Sequence, residues 1–244
     1  CKNTPAARGR KSHIILVSLE VDLNTRGTNK VMSLFAIQAA ADAWIMQNLQ
    51  AAYNADPRVK NEWWFPLCQS LQASQFRELN DWFVKVDKDK SGTLELNELT
   101  KAKWQKGIKM TNETAVRLMR IFDIDGSGSI GFYEFLALYN FMNLVIDLFK
   151  KYDADKSNSM DLVEMSKALP ELGFYCNMNS CKALIKMNGS GLGKPKCNLT
   201  QFLASCAYLG QIRSIYQHVF GIPREQIDQV EFNKFVNLVL GLIY

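Results

Sequence analysis

The sequence predicts an all-α protein of five helix–loop–helix units with short paired loop strands, preceded by an N-terminal extension. Three observations predict it. Residues 87–98 and 123–134 repeat one twelve-residue pattern of carboxylates, hydroxyls and a central glycine. An apolar signature at loop positions 8, 10 and 13 recurs five times, 30 to 37 residues apart. The segments between these loops carry apolar residues at helical spacing.

The first loop reads Asp-Lys-Asp-Lys-Ser-Gly-Thr-Leu-Glu-Leu-Asn-Glu over 87–98. Oxygen donors fall at positions 1, 3, 5, 7, 9 and 12: Asp87, Asp89, Ser91, the Thr93 carbonyl, Glu95 (acting through water) and Glu98. Calcium is a hard cation that takes six to eight oxygens, and this spacing is that of an EF-hand loop. Gly92 stands where the chain turns sharply. The second loop supplies Asp123, Asp125, Ser127, Ser129 and Glu134, with Gly128 at the turn and Gly131 at position 9, where water completes the shell. Both loops place Ser at position 5, where Asp or Asn is usual; a hydroxyl ligates without adding charge. Acidic surface turns imitate part of this pattern, but two full matches with helical flanks exceed what a turn requires. The 24 residues between the loops suit an exit helix, a linker and an entry helix.

The apolar signature extends the series. It reads Leu94, Leu96, Leu99; Ile130, Phe132, Phe135; Met160, Leu162, Met165; Cys197, Leu199, Phe202; and Val230, Phe232, Phe235. The third unit has Asp153, Asp155, Ser157, Ser159, Asp161 and Glu164 at its ligand positions and is a third expected calcium site. Asn158 replaces the turn glycine, and Asn tolerates left-handed backbone better than most residues. The fourth unit, 187–201, is longer, holds no carboxylate and contains two lysines and a proline, so it reads as a relic. Its Gly-rich stretch 189–193 lacks the context of a phosphate cradle. The fifth unit, about 220–234, has Pro223 and Arg224 in the loop and Lys234 in place of the closing Glu. By carboxylate count, the second site, with three against four for the others, is expected to be weakest.

Only 18 residues separate Glu134 from Asp153, none of them Gly or Pro, so one helix is expected to close the second hand and open the third. Residues 202–219 repeat this connection between hands four and five, interrupted by Gly210. Five hands with shared helices at these two places resemble the penta-EF-hand family. The likeness covers about 76–244 and is carried by Asp81–Gly92, Phe122–Phe135, Leu148–Glu164 and Gln201–Cys206. The resemblance implies dimerisation through the unpaired fifth hand, as a homodimer or heterodimer. An odd hand has no internal partner for its loop strand.

Residues 1–75 depart from the family pattern and are taken as a separate extension, with 76–244 as the calcium-binding domain. A strand is expected at His13–Val21 and an apolar helix at Val31–Tyr53. The aromatic cluster Trp63–Pro66 follows, for which core packing is the simpler reading and a docking surface the alternative. The formal net charge is +5, and residues 1–60, with eight basic and four acidic residues, carry +4 of it. A solvated tail explains this most simply. Peripheral membrane or cytoskeletal association stays open, and no nucleic-acid partner is expected.

The six cysteines form no Cys-x-x-Cys pair, and 48% apolar composition affords a core without disulfide staples. Free thiols imply a reducing, cytoplasmic setting. The runs Ile14–Val17 and Phe235–Tyr244 are too short for a secretory core or a bilayer span. The start at Cys1 leads us to expect a piece of a longer chain. With only His13 and His218 present, no Cys–His catalytic pairing can be assembled, so the expected function is not enzymatic. It is that of a calcium-responsive adaptor or sensor with a calcium-dependent protein or peptide partner. The alternatives are the regulatory region of a larger calpain-like protease, or a structural, cytoskeleton-associated protein.

Overall fold

The protein is described from a computed structural model, for residues 57–68, 73–188 and 195–243 and scattered positions between 39 and 53. The expected strand His13–Val21, most of the helix Val31–Tyr53 and the loop stretch 189–194 lie outside the described residues. The elements run α1 (Pro57–Asn61), α2 (Phe65–Cys68), α3 (Ala73–Val86), β1 (Thr93–Leu94), α4 (Leu96–Lys101), α5 (Asn112–Phe122), β2 (Ile130–Gly131), α6 (Phe132–Tyr152), β3 (Met160–Asp161), α7 (Leu162–Ala168), α8 (Met178–Asn188), β4 (Lys196–Cys197), α9 (Leu199–Phe220) and α10 (Gln229–Ile243).

Local chemistry sets the helix ends. The Thr111 hydroxyl accepts from the Thr114 amide and starts α5. Asn198 and Gln201 form a reciprocal capping box at the head of α9, and Gly221, at φ 61°, ends that helix in left-handed backbone. Both shared helices are continuous: α6 runs 21 residues from hand two into hand three, and α9 runs 22 residues from hand four into hand five. Hands one and two are joined by β1 and β2, antiparallel, with Thr93 opposite Gly131 and Leu94 opposite Ile130. Hands three and four are joined by β3 and β4, with Met160 opposite Cys197 and Asp161 opposite Lys196. The fifth loop has no strand among the described residues.

One apolar core links all five units, with Phe122, Phe135, Phe141, Phe174, Phe202 and Phe232 fully buried. α6 is long and apolar enough to cross a membrane, but much of it lies inside this core. The Trp63–Phe65 cluster is core packing, for all three rings are buried. The Trp64 indole N–H donates to the Ile121 carbonyl at 3.0 Å, at the end of α5. Trp63 donates to Ser214 Oγ of α9 at 3.0 Å and meets Phe141 and Phe174 edge-on. Each indole N–H therefore keeps a partner on burial. His218 Nε2 lies 3.0 Å from Glu62 Oε1, and burial pushes the Glu62 carboxyl above its ordinary range while His218 acts against it. The Arg213 guanidinium lies near the Trp63 and Phe232 rings, at 5.7 and 5.4 Å from their centroids.

Gly210 explains how this packing is possible. A methyl group there would stand 2.9 Å from Trp63 Cζ2 and 3.1 Å from Ile121 Cδ1. The glycine costs α9 some helix propensity, about 1 kcal/mol, and admits a rigid indole held by its own hydrogen bond. Gly210→Ala is expected to destabilise the protein by about 1–2 kcal/mol, because overpacking outweighs the propensity gain. Urea unfolding checks this; a stabilised variant would contradict the packing account.

Candidate metal centres

The three expected loops share one hydrogen-bonding scheme. The first-position carboxylate turns inward and accepts from the backbone N–H groups of positions 5 and 6. Asp87 accepts from Ser91 and Gly92 at 3.0 and 2.9 Å. Asp123 accepts from Ser127 and Gly128, both at 2.9 Å. Asp153 accepts from Ser157 and Asn158 at 2.9 and 3.0 Å. The third-position carboxylates, Asp89, Asp125 and Asp155, accept from the same serine amides. Those amides converge on the carboxylates because position 6 is left-handed: φ is 82° at Gly92, 80° at Gly128 and 56° at Asn158. Asn158 thus serves the turn as expected, at some conformational cost.

The closing glutamate ties the two ends of each loop together. Glu98 accepts from the Lys88 amide at 2.7 Å and the Glu95 amide at 3.0 Å. Glu134 accepts from Ile124 and Gly131 at 2.9 and 2.8 Å, and Glu164 from Ala154 and Asp161 at 3.1 and 2.9 Å. The second of each pair is also the capping contact of the exit helix, so helix start and loop closure are one interaction. Hydroxyls join the remaining positions: Ser91 Oγ donates to the Thr93 carbonyl at 3.0 Å, Ser127 Oγ to that of Ser129 at 3.0 Å, and Ser157 Oγ to that of Ser159 at 2.9 Å.

The result is three gathered sets of carboxylates: Asp87, Asp89 and Glu98; Asp123, Asp125 and Glu134; and Asp153, Asp155 and Glu164. Within each set the candidate ligand oxygens lie within 4.8 Å of one another. Glu95 stands outside its set. Burial pushes the Glu134 carboxyl up to about 7, and Asp125 and Asp123 beside it act in the same direction. Side-chain and backbone hydrogen bonds from Ser91 hold the Asp89 carboxyl below its ordinary range.

Among the described residues, no lysine, arginine or histidine pairs with a carboxylate of the first two sets. Clustered acid oxygens, hydroxyls and loop carbonyls, uncompensated by a base, make a donor set that fits calcium. The third set differs: Lys196 Nζ lies 3.8 Å from Asp155 Oδ2. Sequence reading could not have found this contact, because it depends on the pairing register of β3 and β4.

Three comparisons relate this chain to known proteins. Residues 76–140 match the family described as an EF-hand domain pair. Penta-EF hand domain-containing protein 2 of Dictyostelium discoideum is 33% identical over 156 residues, covering 64% of this chain and 74% of that protein. Peflin of Homo sapiens is 30% identical over 165 residues, covering 66% of this chain and 57% of peflin, so the chain spans little more than half of peflin's length. A solved structure of a homologue of programmed cell death 6 protein from Leishmania major Friedlin aligns over 57% of this chain and 76% of its own. Its TM-score is 0.45 and its identity 24%.

Glu98 is mostly buried and accepts from two backbone N–H groups. Glu98→Ala is therefore expected to destabilise the calcium-free protein by about 1–2 kcal/mol, since it strips two amides of their acceptor and removes a cap. Urea unfolding in excess chelator measures this. An unchanged midpoint would mean that the carboxylate serves only the ion.

Proposed function

Because the chain belongs to the penta-EF-hand family, we propose that it is a calcium-responsive adaptor: loops one to three take the ion, and the fifth hand mates with a second copy or a related chain. The observation that carries the reading is the threefold repetition of one carboxylate cage in loops one to three, beside a fifth hand that has no such cage among the described residues. The ligands are Asp87, Asp89, Ser91, Thr93, Glu95 and Glu98; Asp123, Asp125, Ser127, Ser129 and Glu134; and Asp153, Asp155, Ser157, Ser159 and Glu164. Ion binding reorients the helices that flank each loop, and a protein or peptide partner reads that change. β1 and β2 join the first two loops directly, so filling one favours the other. A reducing, cytoplasmic setting suits the four described cysteines, all of them free. Burial pushes the Cys181 and Cys197 thiols up to about 11 and 12, which makes them poor nucleophiles.

The dimer reading draws on the three faces of α10. Phe232, Val236 and Leu240, at i, i+4 and i+8, face the core and are at most 1% exposed. Gln229, Asn233 and Asn237 form a second stripe. Gln229 donates to the Gly173 carbonyl at 2.7 Å, Asn233 accepts from the Tyr175 amide at 3.3 Å, and Asn237 accepts from the Asn177 amide at 3.0 Å. These contacts fix the helix to its own chain. The third stripe, Val230, Leu238 and Leu242, is 62, 61 and 79% exposed and is interrupted by Lys234, which pairs with Glu231; Val219 and Phe220 at the end of α9 are exposed as well. An apolar stripe on a helix held from two other sides suits a symmetric partner surface.

Calorimetric calcium titration of the variant with Asp87→Ala and Asp123→Ala is expected to lose two of three binding events; an unchanged titration would overturn the site assignment. Leu238→Glu combined with Leu242→Glu is expected to turn a dimer into a monomer in sedimentation velocity, with no loss of helix content. A dimer that persists would place the interface elsewhere.

A further inference from the structure

We propose that Lys196 of the degenerate fourth hand is a tethered competitor for calcium at the third loop, so that the fourth hand sets the third hand's affinity. This rests on, and deepens, the reading of residues 153–164 as a calcium site.

The register of β3 and β4 delivers the lysine. Met160 and Cys197 stand opposite one another and are at most 1% exposed, which pins the pairing, because a one-residue slip of either strand would turn its buried residue outward. The next pair, Asp161 and Lys196, then falls at the third loop. Lys196 Nζ lies 3.8 Å from Asp155 Oδ2, the third-position ligand. Among the described residues it is the one base within 4.0 Å of any carboxylate in the three gathered sets.

The first pair of hands supplies an internal comparison. Thr93 occupies the matching place in β1, opposite Gly131, and is neutral. The carboxylate count that ranks the second loop weakest therefore omits a charge: the third loop's fourth acid, Asp161, faces a lysine across the strand pair. An ammonium already on Asp155 must be displaced by an incoming dication or tolerated beside it, and either outcome weakens binding. The side chains of Lys196 and Asp155 are 37 and 60% exposed, so the pair is partly solvated and screened by salt. Exposed pairs of this kind shift an equilibrium by about two- to fivefold.

The test is calorimetric calcium titration of the full 244-residue chain and of its Lys196→Met, Lys196→Glu and Lys196→Arg variants. Asp153→Ala in each background identifies the third binding event, and far-UV circular dichroism checks the fold. Lys196→Met is expected to tighten the third site by about two- to fivefold. Lys196→Glu is expected to tighten it further, to about tenfold in all, and Lys196→Arg to leave it unchanged. The gains should shrink in about 0.5 M KCl, and the first two sites should not move. Equal affinities at the third site in all four proteins would overturn the proposal. So would a tightening shared equally by all three sites, which would report net charge alone. If Asp153→Ala removes no binding event from the unaltered chain, the third loop is not a calcium site and the proposal falls with that reading.

Discussion

The structure is organised around one electrostatic constraint: three carboxylates must be held close together in each of three loops, although they repel one another. Backbone N–H groups do the holding. Each first-position aspartate accepts two amides from the turn, and each closing glutamate accepts one amide from either end of the loop. These hydrogen bonds to charged acceptors are stronger than neutral ones and offset part of the repulsion. The same glutamate amide contact begins the exit helix, so loop closure and helix nucleation cannot be separated. A dication supplies what remains, the positive charge that the first two loops lack.

The second constraint follows from the odd number of hands. Two pairs satisfy their loop strands internally, through β1 with β2 and β3 with β4. The pairs differ in kind. The first joins two acidic loops. The second joins an acidic loop to one that has lost its carboxylates and carries a lysine into the interface. The fifth hand is fixed to its own chain by buried rings and a ladder of Gln and Asn contacts, which leaves one apolar stripe facing outward.

Among the described residues before the first hand, Val59, Trp63, Trp64 and Phe65 belong to this core. Trp63 and Trp64 fasten α5 and α9 with one hydrogen bond each, and Arg213 sits between the Trp63 ring and Phe232 of the fifth hand. The second hand's entry helix and the fifth hand therefore share one packed interior, in which α9 also lies directly against α5.

The sequence by itself determined the loops, their order and the shared helices. A calcium loop is a local object: its donors lie within twelve residues, its turn depends on one residue's backbone freedom, and its exit helix starts on its own closing glutamate. Asp87 to Glu98 could therefore be read without knowing any distant contact, and so could the Asn158 substitution. The absence of Gly and Pro over 135–152 similarly sufficed for a continuous helix. Only the tertiary structure decided the meaning of Gly210, Trp63, Arg213 and Lys196. Gly210 reads as an interruption in α9 until the Trp63 indole is found against it, 147 residues away in sequence. Lys196 reads as part of a dead loop until strand register places it beside Asp155. Such contacts join residues far apart in the chain, and their energies arise from shape and distance between side chains that no local pattern encodes.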